Sequence, residues 1–282
     1  MLKQKNIAIW FKFNGLLRYI LMHSLSEYLP LYVINEYPKS GGTWVGEILS
    51  DALGVPFPRN RLPMLRSCVL HGHFMQSWNI HNIVIVWRDG RDVLVSLYFY
   101  SLFDNGLNQK LVAKCRSDLG FDNYEDIVAN LPAFIEYVFE KKRHPKMSWM
   151  EFVDRWAGRR ECVHVHYEDL HAQPVEELMR IVTQLSGISI SRENAEAIVD
   201  NHSFERVTSR KIGEENRLSF MRKGIVGDWK NYFNMESRKH FHAYAGDALI
   251  TLGYEEDSAW VSNIIDDESR SEQSALGTYR YL

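Results

Sequence analysis

An α/β fold, a single domain with a central parallel β-sheet flanked by helices, is what this chain predicts, and three observations predict it. Apolar runs of strand length recur at Leu31-Tyr32-Val33-Ile34, Asn82-Ile83-Val84-Ile85-Val86-Trp87 and Cys162-Val163-His164-Val165-His166-Tyr167. Each is followed by a helix-like segment, and strands that alternate with helices form parallel sheets. The first run enters its helix through Tyr37-Pro38-Lys39-Ser40-Gly41-Gly42-Thr43-Trp44, a loop with a cation, two glycines and two hydroxyls. Strand, glycine-rich loop and helix together make an anion cradle, because the first helical N–H groups lack internal partners and the helix dipole favours negative charge there. The loop is P-loop-like in physics only. A triphosphatase loop reads G-x-x-x-x-G-K-S/T, whereas Lys39 precedes both glycines.

Residues 1–30 read as an N-terminal amphipathic segment. Trp10, Phe11, Phe13, Leu16, Leu17, Ile20 and Leu21 are interrupted by Lys12, Arg18, His23 and Glu27, so no uncharged run is long enough to span a bilayer. With Lys3 and Lys5 the segment also fits a basic helix lying on a membrane, although packing on its own domain is the commoner fate. The domain proper is expected over 31–265. After the Lys39 loop, Val45 to Leu53 reads as a helix. After the second strand come Arg88-Asp89-Gly90-Arg91-Asp92 and a helix from Val93 to Leu102. Residues 103–160 read as polar helix broken at Pro132 and Pro145, with Trp149, Phe152, Val153 and Trp156 on one buried face. The third strand leads to a helix near Val175 to Ser186, with Pro174 in its first turn. Arg217 to Phe233 reads as a cationic loop. The acidic, serine-rich stretch 266–282 is expected to be disordered.

Composition narrows the function classes. The 282 residues are 45% hydrophobic and carry a net charge of -3, which argues against a nucleic-acid polymer as partner. Three widely separated cysteines, Cys68, Cys115 and Cys162, make neither a zinc pattern nor a disulfide framework and point to a reducing cytoplasm. No ligand cluster for a metal is legible, and none is expected. Ligands of parallel sheets bind beyond the carboxyl ends of the strands, where the Lys39 loop, Arg88 and Tyr167 would all emerge. Arg88 with Ser96, and Arg222-Lys223-Gly224, add a second set of phosphate-binding groups, and Trp44 could stack on a base. One ligand would satisfy them all: a nucleotide phosphorylated at two separate places.

In these blocks the chain resembles the cytosolic-type sulfotransferases, over roughly residues 31 to 235. Pro38-Lys39-Ser40-Gly41-Gly42-Thr43-Trp44 is similar to the family's P-K-S-G-T-T-W loop, which holds the 5′-phosphosulfate. Arg88 to Ser96 resembles its R-x-x-x-D-x-x-x-S block, whose Arg and Ser bind the 3′-phosphate. Tyr167-Glu168-Asp169 and Ser203-Phe204 resemble segments that put Tyr and Phe near adenine. Phe220 to Asn231 matches F-x-R-K-G-x-x-G-D-W-K-N almost throughout. The resemblance implies 3′-phosphoadenosine 5′-phosphosulfate (PAPS) as co-substrate, 3′-phosphoadenosine 5′-phosphate (PAP) as product, and direct in-line transfer to an acceptor.

The acceptor must lose a proton, and His is the default base at neutral pH. The family places that His in a K-x-H pattern, and in Val69-Leu70-His71-Gly72-His73-Phe74 the base aligns with His73 and the Lys with His71. Lys39 would stabilise charge on the bridging oxygen, backbone N–H groups of Gly41 to Trp44 would hold the same phosphate, and Ser96 would touch the 3′-phosphate and Lys39. The acceptor could be a small molecule, a glycan or a lipid, sulfated on oxygen or nitrogen. A divergent nucleotide kinase and a non-catalytic nucleotide-binding protein are the alternatives. Two positions depart from the pattern. Gly42 replaces a Thr, losing a hydroxyl donor. His71 replaces a Lys, so either a neutral His donates there or that role is missing. The family's dimerisation sequence is not recognisable in Asn234 to His242, so no dimer is carried over.

Overall fold

The computed structural model describes residues 13–25, 28–59, 66–76, 80–106, 108–142 and 145–262. The expected tail, 266–282, lies outside them. Four strands, β1 (Leu31–Glu36), β2 (Cys68–Gly72), β3 (Ile83–Trp87) and β4 (Val163–His166), form one sheet in the order β2-β1-β3-β4, with every pairing parallel. Alternation along the strands builds two cores. Leu31 and Val33 of β1 and Ile83, Ile85 and Trp87 of β3 face one way, while Ile34, Val84 and Val86 face the other, and all are buried.

Helix α1 is described over residues 13–20 and continues into a π-helical turn, Leu21–Leu25. Asn14, Arg18, Leu21 and Met22 are buried, and Arg18 Nη1 donates to the His71 carbonyl at 3.2 Å, which holds the turn of α1 against the end of β2. Phe13, Leu16 and Ile20 remain exposed. Helix α2 (Gly42–Leu53) follows β1, and α3 (Gly90–Leu102) follows β3. Then come α4 (Gln109–Leu119), α5 (Ile127–Lys141) and α6 (Trp149–Trp156), the last closed by a Ser148–Glu151 capping box. After β4 the chain forms α7 (Tyr167–Ala172), α8 (Pro174–Ser186), α9 (Arg192–Asn201), α10 (Phe204–Thr208) and α11 (Met235–Thr251).

Two sequence expectations need correction. Pro132 does not break a helix; it lies inside α5. A proline there leaves the carbonyl four residues earlier without its donor, and Asn234 Nδ2 supplies one to Val128 O at 3.3 Å. Tyr167 is not the end of a strand but the first residue of α7. The tryptophan face behaves as read: Trp149, Phe152, Val153 and Trp156 are all buried. The three cysteines are buried and unbridged.

Candidate active site

The sheet order places a topological switch between β1 and β3, since the chain leaves β1 for β2 on one side and reaches β3 on the other. Open α/β sheets bind ligands at such a crevice. Here the loop after β1 faces Arg88, the residue after β3, and Arg88 Nη1 donates to Lys39 O at 3.2 Å across the gap.

The loop turns sharply. Ser40 N–H donates to Tyr37 O at 3.1 Å, and Lys39 adopts φ 78°, a left-handed conformation that costs a residue with a Cβ about 1–2 kcal/mol. Gly41 sits at φ 103°, and a Cβ there would lie 2.5 Å from the Tyr167 ring, so only glycine lets the loop lean on α7. The Lys39 ammonium lies 3.9 Å from the Phe220 ring centroid and 4.8 Å from that of Tyr100. Burial lowers its pKa most, Glu36 opposes, and Arg88 and Arg222 lower it further, to about 8. Lys39, Ser96 and Arg222 line one pocket with Phe99, Tyr100 and Phe220. Ser40 Oγ and Arg88 Nε are buried without a hydrogen-bond partner among the described residues.

Arg88 stacks on Tyr167, 4.4 Å from the ring centroid, and its Nη2 donates to Ile225 O at 3.2 Å. Arg222 pairs with Glu215 and Asp228, and Lys223 Nζ donates to Asp228 Oδ1 at 2.8 Å. Gly224 is left-handed at φ 66° and packs on Phe204, whose ring would be 2.6 Å from an added Cβ. Trp44 meets Tyr167 edge-on at 5.9 Å. The aromatic residues read as adenine contacts therefore cluster around Arg88 and the 222–224 turn.

Beneath them runs a bracing that the motifs contain but sequence reasoning left without a role. Asp92 accepts from Gly227 N–H and Trp229 N–H, both at 2.8 Å, tying α3 to the cationic loop. Arg91 is buried between Trp229 and Trp260, at 3.9 and 4.7 Å, and pairs with Asp89 at 2.7 Å and Glu255 at 2.5 Å.

The histidines stand on the other flank of the loop. Asn35 clips the chain after β2 by accepting from Phe74 N–H at 2.7 Å and donating to Phe74 O at 3.1 Å. That clip sets His73 beside β1, with its Nδ1 at 2.9 Å from Glu36 O. His71 Nε2 lies 2.9 Å from Glu36 Oε1, and Glu36 Oε2 accepts from Gly42 N–H at 2.5 Å. Burial alone would raise the Glu36 pKa. The His71 hydrogen bond, the two imidazoles and the Gly42 N–H outweigh it, so the carboxyl is held below its usual range.

Two expectations change here. The Gly42 N–H, assigned to a phosphate from the sequence, is held by Glu36, and the Trp44 N–H is held by Gly41 O at 2.9 Å. The sequence also suggested no metal-ligand cluster, yet Glu36, His71 and His73 bring one ligand atom each within 4.8 Å of one another. The trio comes from the ends of two strands joined only by sheet pairing, Ile34 to His71 and Asn35 to Gly72. Glu36 was missed outright; its one signal was an acidic residue closing a buried strand.

This is a parallel α/β protein whose strand-end crevice gathers Lys39, Ser96 and Arg222 around one pocket. Residues 62–253 match the sulfotransferase domain model, and the chain belongs to that family of sulfuryl-transferring enzymes. Similar proteins include mouse sulfotransferase 1B1, 27% identical over 261 residues that cover 75% of this chain and 80% of that one. Human sulfotransferase 1E1 is 27% identical over 255 residues, 74% of this chain and 80% of that one. Among solved structures, a mouse sulfotransferase complexed with PAP superposes with a TM-score of 0.58 at 20% identity, covering 84% of this chain and 92% of that one. Retinol dehydratase in a complex with retinol and PAP gives 0.55 at 17%, covering 81% and 84%. At these identities the structures speak for the fold.

Proposed function

We propose that this enzyme transfers a sulfuryl group from PAPS to a hydroxyl or amine of a small-molecule, glycan or lipid acceptor, with His73 as general base. The observation that carries the reading is the convergence of Lys39, Ser96 and Arg222, from three separate sequence blocks, on one pocket at the switch point. Arg88, Ser96, Arg222, Lys223 and Gly224 take the 3′-phosphate end. Lys39, Ser40, Gly41 and Thr43, where the loop enters α2, take the 5′ end, the Gly42 N–H being held by Glu36, and Trp44, Tyr167 and Phe204 flank the adenine. Phe220 must leave the Lys39 ammonium for the donor to reach it.

In the reaction His73 takes the acceptor proton as the acceptor atom bonds to sulfur. The bond from sulfur to the 5′-phosphate oxygen breaks, and PAP departs. By analogy with phosphoryl transfer the transition state is loose and charge-dispersed, so fixed cations carry most of the catalysis. His73 Nδ1 faces a carbonyl, which only accepts, so the ring proton lies on Nδ1 and leaves Nε2 as the basic nitrogen.

The test is a panel of phenols, alcohols, amines, glycans and lipids incubated with PAPS and read by mass spectrometry. Gain of one sulfuryl group, abolished in His73→Ala, is expected. A panel with no transfer would favour a non-catalytic nucleotide-binding protein, and stabilisation by ATP–Mg²⁺ but not by PAP would favour a kinase. No helix among the described residues is long and apolar enough to cross a membrane. The exposed Phe13, Leu16 and Ile20 of α1 fit peripheral contact instead. Replacing the exposed Phe13, Leu16 and Ile20 by glutamate, which leaves the buried Arg18, Leu21 and Met22 in place, should then release the protein from anionic vesicles; a full chain that never sediments with them rules this out.

A further inference from the structure

The two departures from the family loop and base pattern, Gly42 and His71, touch the same side chain. Glu36 is 4% exposed. One of its carboxylate oxygens accepts from Gly42 N–H and the other lies 2.9 Å from His71 Nε2. A Cβ on residue 42 would come within 2.7 Å of Glu36 Cδ. That carboxylate is pinned on both oxygens, so it cannot swing aside without losing a buried hydrogen bond. A threonine at 42 and this glutamate at 36 exclude each other. The main chain of the same residue holds the second ring, His73 Nδ1 at 2.9 Å from Glu36 O.

We propose that Glu36 is a positioning residue for the whole strand-end pair, setting His71 through its side chain and His73 through its carbonyl, and that Gly42 is glycine to admit it. The tautomers follow from the partners. An ionised carboxylate and a carbonyl both only accept, so the ring protons lie on His71 Nε2 and His73 Nδ1. The basic ring nitrogens are then His71 Nδ1 and His73 Nε2. The rings are 5.3 Å apart and nearly perpendicular, so a turn of one is felt by the other. In place of a flexible lysine, this chain presents a short, oriented imidazole backed by a fixed negative charge.

The experiment is long-range ¹H–¹⁵N spectroscopy of histidine-labelled, chelator-treated protein, wild type and Glu36→Gln, with kinetics alongside. In the wild type His71 should show the Nε2–H form and His73 the Nδ1–H form. In Glu36→Gln the amide keeps its oxygen on Gly42 N–H and turns its NH₂ to His71, driving that ring to Nδ1–H while His73 is unchanged. The rate at saturating donor should fall about 10- to 100-fold, as when other carboxylate-oriented histidines lose their partner, with the donor KM unchanged. Identical tautomers in the two proteins would overturn the proposal. So would wild-type spectra that change on adding Zn²⁺ together with an activity that requires it, because the trio would then be a metal site. Gly42→Ala gives a second reading: it should lower the Tm of the wild type more than that of Glu36→Ala, and equal losses would deny the coupling. The kinetic arm rests on the function proposed above, but the spectra do not. Failure of the wild type to transfer sulfuryl groups would defeat that function and leave the tautomers to decide this inference.

Discussion

The two flanks of the crevice are built on opposite plans. On the Arg88 flank, motif residues bond chiefly to one another: Asp92 accepts from Gly227 and Trp229, Asp228 holds Arg222 and Lys223, and Arg91 stacks on Trp229. On the Lys39 flank, the loop and both histidines bond to one residue outside the motifs, Glu36. A set of side chains that satisfy each other tolerates no single exchange, because each change strands a buried partner. A set hung on one carboxylate can change at several positions together. The family pattern accordingly survives on the first flank and is broken twice on the second. On the function proposed above, the first flank takes the 3′-phosphate and the second takes the 5′ end and the chemistry.

That division can be broken by mutation. The largest effect is expected from His73→Ala, which should slow transfer by about 10²–10⁴-fold and leave PAP affinity unchanged by calorimetry. A loss of affinity would return His73 to the binding flank. Arg91→Met leaves Asp89 and Glu255 without their buried cation and should cost about 3–5 kcal/mol of stability by denaturant unfolding. A milder loss would mean the bracing is dispensable. Arg88→Met should weaken PAP by about 1.5–3 kcal/mol while the rate at saturating PAPS holds.

Next comes pH. Lys39 is charged below its pKa of about 8 and neutral above it. A phosphate raises that pKa, so binding takes up a proton near this pH, and affinity falls as pH rises through 8. Calorimetry in buffers of different ionisation enthalpy reads the uptake, and a pH-independent affinity there would contradict it. The smallest effect should be Phe220→Ala, within about 1 kcal/mol, since it removes a cation–π contact that the donor must break anyway.

Much of this was legible because buried parallel strands write continuous apolar runs. β1 and β3 are such runs; β4, Val163–His166, alternates valine with histidine and was marked by the helix with Pro174 that comes after it, whereas β2, Cys68–Gly72, is followed by β3 and not by a helix and did not stand out. The Lys39 loop, Arg88, Ser96 and the 222–224 turn declared themselves by residue type and order. What stayed hidden depends on pairing across the sheet. Nothing in the string of letters says that Glu36 lies beside His71, or that Gly42 makes room for it. Pro132 misled for a similar reason, the donor that its ring denies Val128 O being supplied by distant Asn234.

The central claim is that the crevice recognises a nucleotide at both of its phosphorylated ends. The most direct test is calorimetric titration of the full chain with PAP, adenosine 5′-monophosphate and ATP–Mg²⁺, repeated in Arg88→Met. PAP should bind far more tightly than the monophosphate, and the advantage should shrink in the variant because only the 3′-phosphate contact is lost. Equal affinity for PAP and the monophosphate, or tighter binding of ATP–Mg²⁺, would contradict it.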